Sequence, residues 1–113
     1  MAKSKAFFEN KSTNWETIDN NIERQIVGHD QSVMMVNVQF KKGGIGAMHH
    51  HIHSQVTHIA EGKFEVTINN ETKLLQKGDS FYVAPNLEHG VVCLEDGLLI
   101  DVFSPMREDF IKV

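Results

Sequence analysis

The stretch MHHHIHSQ, residues 48–55, places four of the chain's seven histidines within five consecutive positions. In an extended strand, alternate side chains point to the same face, so His49, His51, His53 and Gln55 would share one face. A row of imidazoles and one carboxamide packs poorly in an apolar core. The same groups are good ligands for a borderline divalent ion. This stretch therefore predicts a metal-binding strand inside a β structure.

One more histidine completes the set of candidate ligands. His89 ends the segment GDSFYVAPNLEH, residues 78–89, in which glycine, proline and asparagine indicate turns. We interpret His49, His51, Gln55 and His89 as the ligands of one divalent ion per chain, which is zinc, nickel, iron, cobalt or manganese. Four neutral ligands leave the ion its full charge, so we expect it to bind a small anionic molecule and to act as a Lewis acid. The alternative, surface histidines on a polar strand, explains the spacing less well.

The remaining histidines receive other interpretations. His50 has the opposite strand parity and is predicted to face outward. His53 has the ligand parity and is a candidate hydrogen-bond donor to the ligands, substrate contact or fifth ligand. His29 and His58 are interpreted as ordinary surface or rim histidines.

Composition restricts the class of protein. The chain has 113 residues, of which 41% are hydrophobic and 23% charged, as in a single globular domain. Its net charge of -4 and scattered lysines argue against nucleic-acid binding. The single cysteine excludes an internal disulfide, and no apolar run approaches the ~20 residues needed to span a membrane. The start has no long apolar segment, so we expect a cytoplasmic enzyme or binding protein.

Short strands separated by turns predict an all-β sandwich or barrel. We expect residues 1–21 to form an N-terminal extension and residues 22–113 to form a single domain. A helical turn is predicted only in residues 106–113. The predicted strands cover residues 22–27, 33–40, about 48–60, 63–69, 72–76, 80–84, 89–94 and 98–103, with turns at 28–30 and 95–97 among others.

These residues resemble the two motifs of the cupin superfamily. The first, G(X)5HXH(X)3–4E(X)6G, is matched from Gly43 to Gly62, with Gln55 in place of the glutamate. The second, G(X)5PXG(X)2H(X)3N, is matched at its glycine and histidine. Its proline comes one place late, and Asn86 and Cys93 replace its second glycine and its asparagine. The resemblance implies a double-stranded β-helix, a jelly-roll-like barrel with the metal inside.

A closer resemblance is to small single-domain cupins of pectin and alginate breakdown. Those carry HSHPHEQ, PPNVPHG and DVFSPPREDF, where this chain has HHHIHSQ, PNLEHG and DVFSPMREDF. The resemblance implies conversion of 4,5-unsaturated monouronates into linear ketouronates. It implies that Asp101 moves the proton, that Arg107 holds the substrate carboxylate and acts in catalysis, and that Phe103 contacts the sugar ring. A homodimer is implied as well.

Two other functions stay open at this point. A cupin dioxygenase would use the metal to activate oxygen, although a neutral Gln55 supports a high oxidation state less well than a carboxylate. A non-catalytic sugar- or metal-binding cupin would use the same barrel for recognition alone.

Overall fold

The structure, a computed structural model, describes residues 3–111 and is built almost wholly from antiparallel strands. Two single 3₁₀ turns lie near its ends, at Asn10–Ser12 and Glu108–Phe110. The strands are β1 Glu16–Asp19, β2 Ile22–Asp30, β3 Val33–Phe40, β4 Ile45–His49, β5 Ser54–Ile68, β6 Glu71–Gln76, β7 Ser80–Val83 and β8 His89–Ser104.

Two long strands, β5 and β8, form the frame of the barrel. They have 15 and 16 residues and pair with each other along almost their whole length. Their halves 54–61 and 97–104 lie in a larger sheet with the order β1-β2-β3-β8-β5-β7. Their other halves lie in a smaller sheet with the order β4-β8-β5-β6. This two-sheet, jelly-roll-like arrangement confirms the predicted all-β double-stranded β-helix.

Two glycines permit the corner between the sheets. Gly62 has a φ of 88°, and a Cβ there would lie 2.6 Å from both the Asp96 carbonyl oxygen and the Gly97 Cα. A Cβ on Gly97 would in turn meet the Glu61 carbonyl oxygen and the Phe64 ring. Only residues without side chains allow the two backbones to approach so closely.

The interior divides into an apolar part and a polar end. One core cluster comprises Ile22, Phe40, Ile59, Phe64, Val66, Cys93 and Leu99, and the other comprises Met34, Val36, Phe103 and Met106. Phe64 is fully buried and meets Phe40 edge to face, with ring centroids 5.2 Å apart. The polar end contains the buried polar residues of the barrel interior. These are Gln55 and Thr57, near the start of β5, and His89, the first residue of β8.

Several local predictions were wrong. The break expected between strands 48–60 and 63–69 is absent, because β5 continues through Gly62 at the corner. A helical turn also lies at Asn10–Ser12, outside residues 106–113. β2 runs through Gly28 to Asp30, because its register with β3 shifts between Ile26 and His29 and so absorbs the glycine as a bulge. β8 is continuous through residues 95–97, which bend the strand at the corner instead of ending it. The predicted strand over residues 48–60 is interrupted at 50–53.

The interruption at residues 50–53 is what lets the candidate ligands meet. In a continuous strand six residues span about 20 Å, so His49 and Gln55 could not share an ion. Instead, the chain leaves the sheet after His49, and the His51 carbonyl accepts a hydrogen bond of 2.7 Å from the Asn86 N–H. Asn86 has a φ of 69°, a conformation that asparagine tolerates where the family motif has glycine.

The N-terminal region lies against the larger sheet. β1 pairs with β2, and buried Gln25 of β2 donates 3.0 Å to the side chain of Asn10 and accepts 2.9 Å from Asn37. The boundary between residues 1–21 and 22–113 stays a prediction. Residues 1 and 2 of the predicted extension lie outside the described residues. Residues 112 and 113 of the predicted domain and of the predicted turn at 106–113 lie outside them as well. Within residues 3–111, no helix is long and apolar enough to cross a membrane.

Candidate metal centre

The predicted ligands converge at one end of the barrel. His49 ends β4 and His89 begins β8, and these two residues are direct partners in the pairing of the strands. His51 lies in the loop between β4 and β5, and Gln55 is the second residue of β5. The ligand nitrogens of His49, His51 and His89 all lie within 4.8 Å of one another, which makes these residues a possible three-histidine metal site.

Backbone carbonyls fix the orientation of the three imidazoles. Each ring uses Nδ1 in a hydrogen bond to a carbonyl oxygen two residues away along the chain. Because a carbonyl only accepts, each Nδ1 must carry the hydrogen, and Nε2 of the neutral ring keeps its lone pair. Such bonds commonly orient metal-bound histidines. They run from His49 to Ala47 (2.8 Å), from His51 to His53 (3.1 Å) and from His89 to Leu87 (2.9 Å).

Two of the three Nε2 lone pairs have no hydrogen-bond donor, and a bound cation would satisfy them. His89 Nε2 is buried and has no hydrogen-bond partner among residues 3–111. His51 Nε2 lies 3.0 Å from Gln55 Oε1, although both atoms are acceptors when His51 is neutral. Buried acceptors without a donor are unfavourable, so three imidazole nitrogens and an amide oxygen fit a divalent cation.

Burial favours the neutral form of the His89 and His51 imidazoles. Loss of hydration lowers the pKa of His89 from 6.5 to about 4, with smaller contributions from His49, His51 and Arg107. Burial also lowers the pKa of His51, although its contact with Gln55 acts in the opposite direction. Neutral rings at pH 7 are the form that binds metal.

A chain of hydrogen bonds connects Gln55 to Asp101. Gln55 Nε2 donates 2.9 Å to Thr57 Oγ1, and Thr57 Oγ1 donates 2.6 Å to Asp101 Oδ1. Thr57 and Asp101 face each other across the pairing of β5 with β8. Asp101 is half-buried, and loss of hydration raises its pKa from 3.8 to about 6, while Thr57 and Arg107 act in the opposite direction. A carboxyl group with such a pKa can both hold and release a proton near neutral pH.

Arg107 approaches the site from the segment after β8. Its side chain is 12% exposed, and its Nε and Nη2 donate to Asp109 at 3.0 and 2.8 Å. These bonds are the main reason why the pKa of Asp109 is lowered. The guanidinium also lies over the rings of Phe110 and Phe103, at 4.3 and 5.2 Å from their centroids. The remaining N–H groups of this fork are available to a second anion.

Phe103 and His53 both contact the ring of His51 at the edge of the histidine cluster. Phe103 is 2% exposed, and its ring meets those of His51 and Phe110, each with centroids 5.8 Å apart. His53 packs 5.3 Å from the His51 ring and lies outside the close group, and its buried Nδ1 has no partner among residues 3–111. Substrate contact by Phe103 and by His53 stays a prediction.

The other histidines lie away from this group. The His50 side chain is 63% exposed and its Nδ1 lies 3.5 Å from a carboxylate oxygen of Glu88. His58 is exposed on the outer face of β5, and His29 is half-buried on β2. A cavity of about 1330 Å³ lies against the outer faces of β2 and β3, and none of the candidate residues lines it.

Sequence reasoning did not identify Thr57 or Asp109. Thr57 has the same strand parity as Gln55, two residues before it, and this signal would have placed it on the inner face. Asp109 follows Arg107 by two residues, but nothing in the sequence indicates that a tail carboxylate would pair with that guanidinium.

Comparison with known proteins shows the family of this chain and its similarity to solved structures. The family described as Cupin domain matches residues 36–103. The chain is 45% identical over 107 residues to the pectin degradation protein KdgF of Dickeya dadantii (strain 3937), covering 93% of this chain and 97% of that protein.

Two solved structures are similar over nearly the whole chain. An RmlC-like cupin from Shewanella frigidimarina NCIMB 400 superposes with a TM-score of 0.95 at 43% identity, covering 98% of this chain and 100% of that one. The KdgF structure from a Halomonas species gives a TM-score of 0.91 at 38% identity, covering 96% and 100%.

Proposed function

This chain belongs to the cupin family, and on that premise we propose that it is a metal-dependent enzyme of pectin degradation that converts 4,5-unsaturated monouronates into open-chain ketouronates. One observation carries the proposal: close contacts run from His51 of the three-histidine group through Gln55 and Thr57 to Asp101, and the guanidinium of Arg107 lies over Phe103, whose ring contacts His51. The similarity to two KdgF proteins supports pectin breakdown as the context.

We propose that His49, His51, Gln55 and His89 hold one divalent ion per chain. The two unsatisfied lone pairs at His89 and His51 support this assignment. The ion would be zinc, nickel, iron, cobalt or manganese, since all of these accept imidazole and amide ligands. When bound, it supplies a Lewis acid that stabilises negative charge on substrate oxygen atoms.

The reaction places defined demands on the protein. The bond between C1 and the ring oxygen breaks as the C1 hydroxyl loses its proton and becomes an aldehyde oxygen. The ring oxygen gains a proton and stays on C5 as an enol. The enol then loses its O–H proton and C4 gains one, giving the 5-ketone. Asp101 suits the proton transfer because its pKa of about 6 lets it exchange a proton near neutral pH.

Arg107 suits the binding of the substrate carboxylate. Asp109 engages one edge of its guanidinium and holds it in place, which leaves other N–H groups to bind a carboxylate. Phe103 and His53 lie beside the fork and the His51 ring, where they would contact the sugar.

A homodimer and a cytoplasmic location are further parts of the proposal. The outer face of the larger sheet carries a row of apolar side chains in register across four strands. Three of the four are well exposed, Met35 at 38%, Val56 at 51% and Tyr82 at 58%. Covering such a row with a second copy is favourable. The row comprises Met35 on β3, Val102 on β8, Val56 on β5 and Tyr82 on β7.

The proposed function is tested by following the ultraviolet absorbance of the conjugated double bond in freshly made 4,5-unsaturated galacturonate. We expect metal-loaded protein to accelerate its loss above the spontaneous rate. Chelation should abolish the acceleration, and Asp101→Asn should reduce it by about 100-fold or more, the range for a general acid–base group. No acceleration by the loaded protein would contradict the proposal, and oxygen consumption during turnover would indicate a dioxygenase instead.

A further inference from the structure

Thr57 lies between the proposed metal ligand Gln55 and the proposed proton carrier Asp101. Its side chain is completely buried, and its hydroxyl oxygen contacts both neighbours, at 2.9 Å from Gln55 Nε2 and 2.6 Å from Asp101 Oδ1. The inner face of β5 carries Gln55 and Thr57 in succession, and Asp101 stands opposite Thr57 on β8. The contact therefore follows from the register of the two longest strands.

The number of hydrogens on the Thr57 hydroxyl determines which group donates in each hydrogen bond between Gln55, Thr57 and Asp101. A threonine hydroxyl has one hydrogen, and the 2.6 Å separation is typical of an O–H donated to a carboxylate. Having given that hydrogen to Asp101, Thr57 can only accept from Gln55. Only the NH₂ group of an amide can donate, so this group must face Thr57, and Oε1 must face His51 Nε2, 3.0 Å away.

We propose that Thr57 is a positioning residue that keeps the amide of Gln55 turned with its oxygen toward the metal position. The two ends of an amide have almost the same shape, so packing alone distinguishes them poorly. Reversing the amide would present N–H groups to the ion, and N–H groups cannot act as ligands. This inference rests on the proposed metal site and adds the residue that determines which atom of Gln55 takes part in it.

Thr57→Val removes the hydroxyl and keeps the shape of the side chain. We expect the variant to bind Zn²⁺ about 10–100-fold more weakly than the wild-type chain, the usual effect of losing a group that orients a metal ligand. The measurement is competition for Zn²⁺ against a chromophoric chelator. Thr57→Ser keeps the hydroxyl and should retain wild-type affinity.

A second background separates orientation from general damage to the fold. In Gln55→Glu, both ends of the side chain are oxygen atoms, so turning it over changes nothing. We therefore expect Thr57→Val to change the Zn²⁺ affinity of the Gln55→Glu protein by less than about threefold. A loss of affinity as large as in the Gln55 background would show that Thr57 has only a structural role and would overturn the proposal.

The remaining outcomes are equally decisive. If the wild-type chain binds Zn²⁺ and Thr57→Val binds it equally well, the role of Thr57 is refuted while the metal site stands. If the wild-type chain binds none of the divalent ions named above, the metal site is refuted and the role of Thr57 with it. Circular dichroism checks the fold, and Thr57→Ala, which also lacks the hydroxyl, replaces the valine variant if that variant is unfolded.

Discussion

Histidine residues of one sequence stretch acquire different roles through the groups that accept their N–H hydrogens. His49 and His51 donate from Nδ1 to backbone carbonyls and so direct Nε2 lone pairs toward a common point. His50, between them, directs its ring to solvent beside Glu88. The backbone leaves the sheet at residues 50–53, so the alternation of side chains along a strand does not determine these orientations. The hydrogen bonds of each individual histidine determine them.

Two titrating groups of the metal-free site should affect stability in opposite directions. The folded-state pKa of His89, about 4, lies below its ordinary 6.5, so the unfolded chain binds that proton more readily and stability falls as pH decreases from 6.5 toward 4. The folded-state pKa of Asp101, about 6, lies above 3.8, so stability instead falls as pH rises from about 4 to 6.

Asp101→Asn removes only the second of these effects. In chelator, its urea midpoint should therefore rise more steeply between pH 4.5 and 6.5 than the midpoint of the wild-type chain. Equilibrium urea unfolding at three pH values within this window provides the measurement. Parallel curves for the two proteins would show that Asp101 titrates in the folded chain as it does in the unfolded one.

At the scale of the strands, β5 and β8 unite the two sheets because both cross the corner at Gly62 and Gly97. The pairing of the two strands shifts register at this corner and then runs regularly from Ile59 and Leu99 to Thr57 and Asp101. The corner therefore sets the positions of the groups at the metal end.

Two glycines with positive φ offer a matched test of this corner. Gly78→Ala introduces strain alone, because φ is 95° and nothing lies within 4 Å of the added Cβ, so we expect a loss of about 1–2 kcal/mol in unfolding free energy. Gly62→Ala, with a φ of 88°, adds a clash with backbone at 2.6 Å. It should cost at least about 2 kcal/mol more than Gly78→Ala. Equal losses in urea unfolding would contradict a packing role for the corner.

Alternation and turn residues predicted much of the sheet. Val33–Phe40 is a strand with the predicted bounds, and the turn between the predicted strands 63–69 and 72–76 is a hairpin at Asn69 and Asn70, with φ values of 48° and 70°. The continuity of β8 was not predictable, because residues 95–97 have the composition of a turn. Whether glycine turns a chain or bends a strand depends on the strand opposite it.

The candidate site was predictable in its residue types but not in its connections. The imidazole ligands were predictable because few roles other than metal binding explain three histidines at these positions. The interruption at residues 50–53 could not be read, since it depends on the pairing of the His51 carbonyl with Asn86. The position of Thr57 between Gln55 and Asp101 depends on the register of β5 with β8, which local sequence does not reveal.

At the scale of the whole molecule, the apolar row on the larger sheet should control assembly. Val56→Lys places a charge in the middle of the row and should convert a homodimer into a monomer of 12.8 kDa. Ile45→Lys is the control, because Ile45 is 60% exposed but lies on β4 in the smaller sheet. Light scattering coupled to size-exclusion chromatography gives the mass. A dimeric Val56→Lys protein would place any interface elsewhere.

The metal dependence of turnover tests the central claim most directly. Metal-free protein is titrated with the divalent ion that it carries when purified, and the loss of the unsaturated uronate is followed at each step. We expect the rate to rise linearly and to level off at about one ion per chain, both in the wild-type chain and in His50→Ala, while His51→Ala shows no such rise. A rate that is independent of added metal, or an equal response from His51→Ala, would contradict the account.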